Sequence, residues 1–188
     1  MKPISRRVAL CLIAAAALGA GCQKAEAPPA IGGPFTLIDQ DGRTVSEQVL
    51  KGKWSAVFFG YTYCPDVCPM TMQTLGEARK RLGAKADKLQ VVFITVDPER
   101  DTPDALKAYL KSEGFPPNTI GLTGSPPQIA GAAKAYKAFY AKAGEGKDYL
   151  MQHPAVVYLM DPQVRFKTAL TYSLGPEETA RQLSKAMS

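Results

Sequence analysis

Histidine occurs once in this chain of 188 residues, at His153, and cysteine four times, at Cys11, Cys22, Cys64 and Cys68. So few soft ligands argue against a closed structural zinc site, which ordinarily takes four. There is no hydrophobic run long enough to span a bilayer: residues 8–20 are apolar but fall short of the roughly 20 residues a spanning helix needs. There is no strong excess of one charge either. The 23 basic and 17 acidic residues give +6, and setting aside Lys2, Arg6 and Arg7 with the N-terminal segment leaves +3. That balance is too weak, and too scattered along the sequence, to suggest nucleic acid as a partner. No internal repeat and no second domain is visible, and an apolar fraction of 46% is ample for one core.

What the first 33 residues do have is the pattern of an export segment. Lys2, Arg6 and Arg7 form a basic start, the apolar run follows, and Gly19-Ala20-Gly21-Cys22 ends it. These four residues resemble a bacterial lipobox, with Gly19 where leucine is usual, so Cys22 is the expected lipidation site; an ordinary cleaved signal and an uncleaved anchor are the alternatives. Ser5-Arg6-Arg7 hints at a twin-arginine export route, with a poor hydrophobic follow-up. Residues 23–33, rich in Pro, Ala and Gly, read as a disordered tether, and residues 34–188 as the folded domain. Cys11 then leaves with the signal and Cys22 carries lipid, so the domain keeps Cys64 and Cys68. Outside the inner membrane, where conditions are oxidising, such a pair forms a disulfide, is kept reduced, or holds a metal.

Those two cysteines sit in Gly60-Tyr61-Thr62-Tyr63-Cys64-Pro65-Asp66-Val67-Cys68-Pro69-Met70. The run before them, Ala56-Val57-Phe58-Phe59, is continuously apolar and reads as a buried strand. Residues 71–82 read as a helix. Pro65 and Pro69 bias each preceding cysteine away from helical angles, and Pro69 suits a first helical position, which predicts a helix over 70–82. Both cysteines are then expected in the turn between a core strand and a helix N-terminus, where partial positive charge favours thiolate over thiol.

The rest of the chain alternates. Asp39-Gln40-Asp41-Gly42 between short apolar runs signals a hairpin. Residues 89–97 read as a central strand. Thr102 before Pro103 starts a helix running to about residue 112, and a short strand precedes residue 124. Ser125-Pro126-Pro127-Gln128 is a capping box opening a helix to about residue 140. Residues 141–148 read as a mobile loop, 155–160 as a core strand, 164–168 as a half-exposed edge strand, and 175 onward as the last helix. The pattern predicts an α/β fold: a parallel-rich mixed central sheet with helices on both faces and an N-terminal β-hairpin. A dithiol between the first core strand and the first helix points to the thioredoxin superfamily.

At this point the chain resembles the Sco (SenC/PrrC) family of copper-binding, thioredoxin-like proteins. The resemblance covers about residues 35–187 and rests on four ordered blocks: residues 59–69, residues 96–103, Gly121-Leu122-Thr123-Gly124, and His153 before Val156-Val157-Tyr158-Leu159-Met160. It implies one copper held by Cys64, Cys68 and His153. It also implies a role in maturing the dinuclear copper site of cytochrome c oxidase, as copper donor, as thiol reductant, or both. The implied partners are the copper-bearing subunit of the oxidase and a periplasmic copper donor. The implied location is the bacterial cell envelope, on the periplasmic side of the inner membrane, held by the lipid on Cys22. Two residues depart from the pattern: Tyr63 stands where many members have His, and Pro154 follows His153 where Ser or Thr is common.

The residue chemistry agrees with copper. Thiolates suit Cu(I), and imidazole suits both oxidation states. For Cu(II) a fourth donor enters, water or a carboxylate such as Asp66, Asp97 or Asp101. Met70, Met72, Met151 and Met160 are thioether candidates, though packing is the better reading for them. Residues 97–101 read as loop and helix cap rather than ligands. The leading function is a metallochaperone rather than an enzyme. The alternative is a thiol:disulfide oxidoreductase, which needs the redox-active pair Cys64 and Cys68, disulfide-bonded when oxidised, but not His153. A thiol peroxidase is weaker, because such sites place Thr three residues before the cysteine and Thr62 lies two before Cys64.

Overall fold

The computed structural model describes residues 31–188. Among the described residues nine strands and four α-helices run in the order β1 (Thr36–Asp39), β2 (Thr44–Ser46), β3 (Trp54–Gly60), α1 (Val67–Arg81), β4 (Leu89–Thr95), α2 (Pro103–Tyr109), β5 (Ile120–Thr123), α3 (Pro126–Tyr136), β6 (Ala141–Ala143), β7 (Leu150–Gln152), β8 (Val156–Met160), β9 (Phe166–Thr171) and α4 (Gly175–Ala186). Seven strands form one sheet in the order β2-β1-β5-β4-β3-β8-β9, and β6 and β7 form a separate antiparallel pair. Strands β3, β4 and β5 are mutually parallel, whereas β1, β8 and β9 run antiparallel to their neighbours. This is the thioredoxin-like mixed sheet with its N-terminal hairpin.

Alternation along β3 sends successive side chains to opposite faces. Phe58 packs edge-on against Phe93 at 5.8 Å, and Phe93 meets Tyr109 at the end of α2. Its neighbour Phe59 turns the other way and meets Tyr136 of α3 at 5.4 Å. Helices therefore cover both faces, and β3, β4 and β8 read as near-continuous apolar runs because they are buried on both sides. Among the described residues no helix is long and apolar enough to cross a membrane.

Several boundaries differ from those the sequence predicts: α2 ends at Tyr109 and not at about residue 112, and the edge strand β9 runs Phe166–Thr171 and not 164–168. Helix α1 begins at Val67, not at residue 70, so Cys68 and Pro69 lie in its first turn and only Cys64 stays in the connecting turn. Proline is tolerated there because the first four N–H groups of a helix lack intrahelical partners. Helix α3 opens as expected, with the Ser125 amide donating to Gln128 Oε1 at 2.8 Å, but ends at Tyr136 because Lys137 turns left-handed at φ 54°. Residues 141–148, expected as a mobile loop, instead contribute strand β6, paired with β7 through Ala141 and Gln152. Residues 31–33, expected as tether, are packed, with the Gly32 amide donating to Ala135 O at 2.9 Å. The lipidation expected at Cys22 lies outside the described residues.

Candidate metal centre

Strand β3 ends at Gly60, and the chain turns through residues 61–66 into α1. The turn is fixed from across the fold. Asp101 accepts hydrogen bonds from the Thr62 amide at 3.0 Å, the Thr62 hydroxyl at 2.6 Å and the Thr95 hydroxyl at 2.6 Å. Gly60 is required for space. A Cβ there would stand 2.9 Å from Cys68 Sγ and 2.9 Å from Phe93 Cε2, closer than side-chain atoms tolerate.

Both thiols are free, Cys64 half-buried and Cys68 buried. The Cys68 amide donates to Cys64 Sγ at 3.3 Å, as expected of a sulfur seated at a helix N-terminus. His153 arrives from the other side of the site, 85 residues on, and its Nε2 lies 3.3 Å from Cys68 Sγ. The ligand atoms of Cys64, Cys68 and His153 all fall within 4.8 Å of one another. The imidazole is held edge-on by Phe58 at 6.0 Å and Tyr61 at 5.7 Å. Its Nδ1 lies 3.3 Å from Pro154 O. With the proton on Nδ1 donated to that carbonyl, the Nε2 lone pair is left to face the sulfurs.

The two thiols are electrostatically unlike. The Cys68 thiol donating to Cys64, with the backbone of Cys68 and Asp66 adding to it, outweighs burial and holds Cys64 down at about 4. Burial, then the neighbouring Cys64 thiolate, pushes Cys68 far up. At neutral pH the pair is therefore one thiolate sharing the proton of one thiol, a nucleophile at the surface with a protonated partner behind it.

The histidine is carried by the β6–β7 pair, and that pair is clamped to the turn at residues 97–102. Tyr149 donates its hydroxyl to Asp97 Oδ1 at 2.7 Å. Arg100 pairs with Asp97 and lies over the Tyr149 ring at 3.7 Å, and Lys142 lies over the same ring at 3.7 Å and pairs with Glu99 at 3.2 Å. The backbone of Met151 hydrogen-bonds the Tyr61 hydroxyl. One turn thus steadies both halves of the site, the cysteines through Asp101 and the histidine through Asp97.

Of the carboxylates singled out in the sequence, Asp97 and Asp101 are buried and engaged in these bonds, and Asp66 is exposed at the N-cap of α1. Met72 and Met160 are fully buried in the core, Met151 packs against it, and Met70 is 42% exposed beside Tyr172. Tyr63 is 61% exposed, with the Arg100 guanidinium 4.6 Å over its ring. The sequence reading missed Asp101, Tyr149 and Gly60 as positioning groups. The one available signal was the density of acids and Thr in residues 95–102, too many for an ordinary surface loop.

Comparison with known proteins decides the family: the SCO1/SenC profile matches residues 23–188. The chain is a member of the SCO1/SenC family. It is 46% identical over 139 residues to Protein SCO1 homolog 1, mitochondrial, of Arabidopsis thaliana, covering 73% of this chain and 41% of that protein. The chain thus spans less than half the length of that relative. The structure of Bradyrhizobium japonicum ScoI with copper bound superposes at a TM-score of 0.75 with 44% identity, over 84% of this chain and 99% of that one. BsSco, described as containing a disulfide switch and as a member of the Sco family of cytochrome c oxidase assembly proteins, superposes at 0.66 with 29% identity, over 86% and 95%.

Proposed function

We propose that this SCO1/SenC protein is a copper metallochaperone. It holds one copper ion as cargo through Cys64 Sγ, Cys68 Sγ and His153 Nε2 and assists assembly of the dinuclear copper site of cytochrome c oxidase. It acts on the periplasmic side of the inner membrane, anchored there through Cys22, and receives its metal from a periplasmic copper donor. The observation that carries this reading is the 3.3 Å approach of His153 Nε2 to Cys68 Sγ. Thiol exchange has no need of a third ligand, whereas two thiolates and an imidazole suit copper. The copper-bound ScoI from Bradyrhizobium japonicum supports it.

A second reading, thiol:disulfide oxidoreductase toward the oxidase cysteines or those of other exported proteins, is favoured by one observation. Cys64 is held as a thiolate down to about pH 4 while remaining half-exposed, which suits an attacking sulfur. The disulfide switch described for BsSco points the same way. The two readings are compatible on one site, since only the reduced pair supplies thiolates to a metal.

One experiment separates them. Reduced wild-type protein is expected to take up one equivalent of Cu(I) and the oxidised protein none. His153→Ala is expected to bind copper more weakly and to impair oxidase assembly, while its dithiol remains titratable and exchange-competent. Full oxidase activity at limiting copper in a strain carrying His153→Ala would reject delivery and leave the reductant role.

A further inference from the structure

The two ends of the sheet differ in charge. Strands β3 and β4 begin side by side, Trp54 opposite Leu89, so Lys53 and Lys88 share the end remote from the thiols. Seven residues at about 3.3 Å each put that end roughly 20 Å from the site. Lys51 belongs to the same end, because the Gly52 amide donates to Pro162 O at 3.0 Å in the turn after β8. Lys85 donates to Ser184 O at 2.7 Å, which brings in Lys185 from the last turn of α4. Lys51, Lys53, Lys88 and Lys185 are exposed. Among the acids nearby, Glu77 is paired with Lys80 and Arg81 and Asp161 with Arg165, Glu47 lies near Lys51 and accepts from the Phe35 amide, and Asp87 is exposed, so the lysines remain in excess. Around the thiols the balance reverses, with exposed Asp66, Glu99, Glu145 and Asp148 set against Arg100, Lys142 and Lys147.

The chain also enters at the lysine-rich end. Ile31, Gly32, Gly33 and Pro34 line one cleft with Val164, Arg165 and Phe166, in the turn that receives the Gly52 amide. Ile31, the first described residue, therefore lies at this end and not at the metal centre.

We propose that the lysine-rich end rests on an anionic phospholipid surface and so turns the metal centre away from the bilayer. The anchor at Cys22 is part of the proposed function and brings the domain near the membrane; the orientation is a property of the domain's own charge. Basic groups at an anionic surface are each worth roughly a fivefold gain in affinity. The attraction fades over a Debye length of about 8 Å at physiological salt, so it acts on the lysines and not on the acids about 20 Å away.

The chain has one tryptophan, Trp54, and it sits beside Lys53 at this end. Energy transfer from Trp54 to a dansyl-labelled headgroup therefore reads the orientation. Full-length protein is placed on vesicles of phosphatidylcholine alone and of phosphatidylcholine with phosphatidylglycerol. Transfer is expected to be higher on the anionic vesicles and to fall to the neutral value on raising the salt. The triple variant Lys51→Glu, Lys53→Glu, Lys88→Glu is expected to lose the rise while keeping the wild-type circular dichroism. Equal transfer by the wild type on both vesicles overturns the proposal. Failure of the anchor shows separately, as protein that does not sediment with phosphatidylcholine vesicles. The lysine-rich end is then read from low-salt sedimentation with the anionic vesicles, and none overturns it.

Discussion

At Cys64 the hydrogen bonds converge on a single sulfur, and the consequence is measurable as a rate. Its thiolate is expected to persist as the pH falls, down to about 4, well below the ordinary thiol value. Alkylation of reduced, metal-free protein should therefore be nearly flat above about pH 6 and fall with a midpoint near 4, with Cys68 unreactive throughout. A midpoint at the ordinary thiol value would contradict the geometry. The same asymmetry fixes the proton count on metal loading. Cys64 has already lost its proton and Cys68 has not, so copper uptake at neutral pH should release about one proton and not two, readable by calorimetry in buffers of different ionisation enthalpy. Gly60 is a second residue with a sharp expectation. Gly60→Ala drives a methyl to 2.9 Å from Cys68 Sγ and Phe93 Cε2, an overpacking of about 1–3 kcal/mol. Denaturant unfolding should show that loss together with lowered copper stoichiometry; unchanged values of both would mean the core yields there freely.

The β6–β7 pair is the element on which the centre turns, because it carries His153 and is too short to be stable alone. Its order comes from Tyr149, Arg100 and Lys142 against the turn at residues 97–102. Tyr149→Phe removes one donor from buried Asp97 and is expected to cost about 1–3 kcal/mol locally. The amides of β6 and β7 should exchange faster and copper affinity should fall, while the alkylation profile of Cys64 stays put. Protection and affinity both unchanged would show that the hairpin is held elsewhere. These elements also mark what the sequence could and could not reveal. Strands β3, β4 and β8 announced themselves by continuous apolar runs, and the capping residues Thr102 and Ser125 marked their helices correctly. The β6–β7 pair was hidden because Gly144, Gly146 and the lysines read as a solvated loop, and its pairing depends on partners outside it. The start of α1 was misplaced because the bias of Pro69 against a helical Cys68 was weighted above the freedom of a first helical turn.

Over the whole molecule the site was legible as a list of residues but not as an arrangement. Cys64, Cys68 and His153 were visible by type and by family resemblance, whereas the role of Asp101 depends on a hydrogen bond to Thr62 across 39 residues that no local pattern encodes. Charge that is scattered along the sequence gathers in space: Lys51, Lys53, Lys88 and Lys185 come together only through the fold. Anchoring belongs to this scale. Cys22→Ser is expected to release the domain from the membrane fraction or block its maturation, checked by fractionation and by mass spectrometry of the N-terminus. Unchanged fractionation with no lipid on Cys22 would remove the anchor. The antiparallel register of β3 with β8, Phe58 opposite Val157, has a further consequence. A chain made from its N-terminus displays both thiols long before its imidazole can join them. Until the final third of the sequence has docked beside β3, the complete three-ligand pocket does not exist. Under the proposed function, full-affinity copper capture is therefore expected only once the protein has finished folding, and a half-made chain has no complete trap with which to seize the ion too soon.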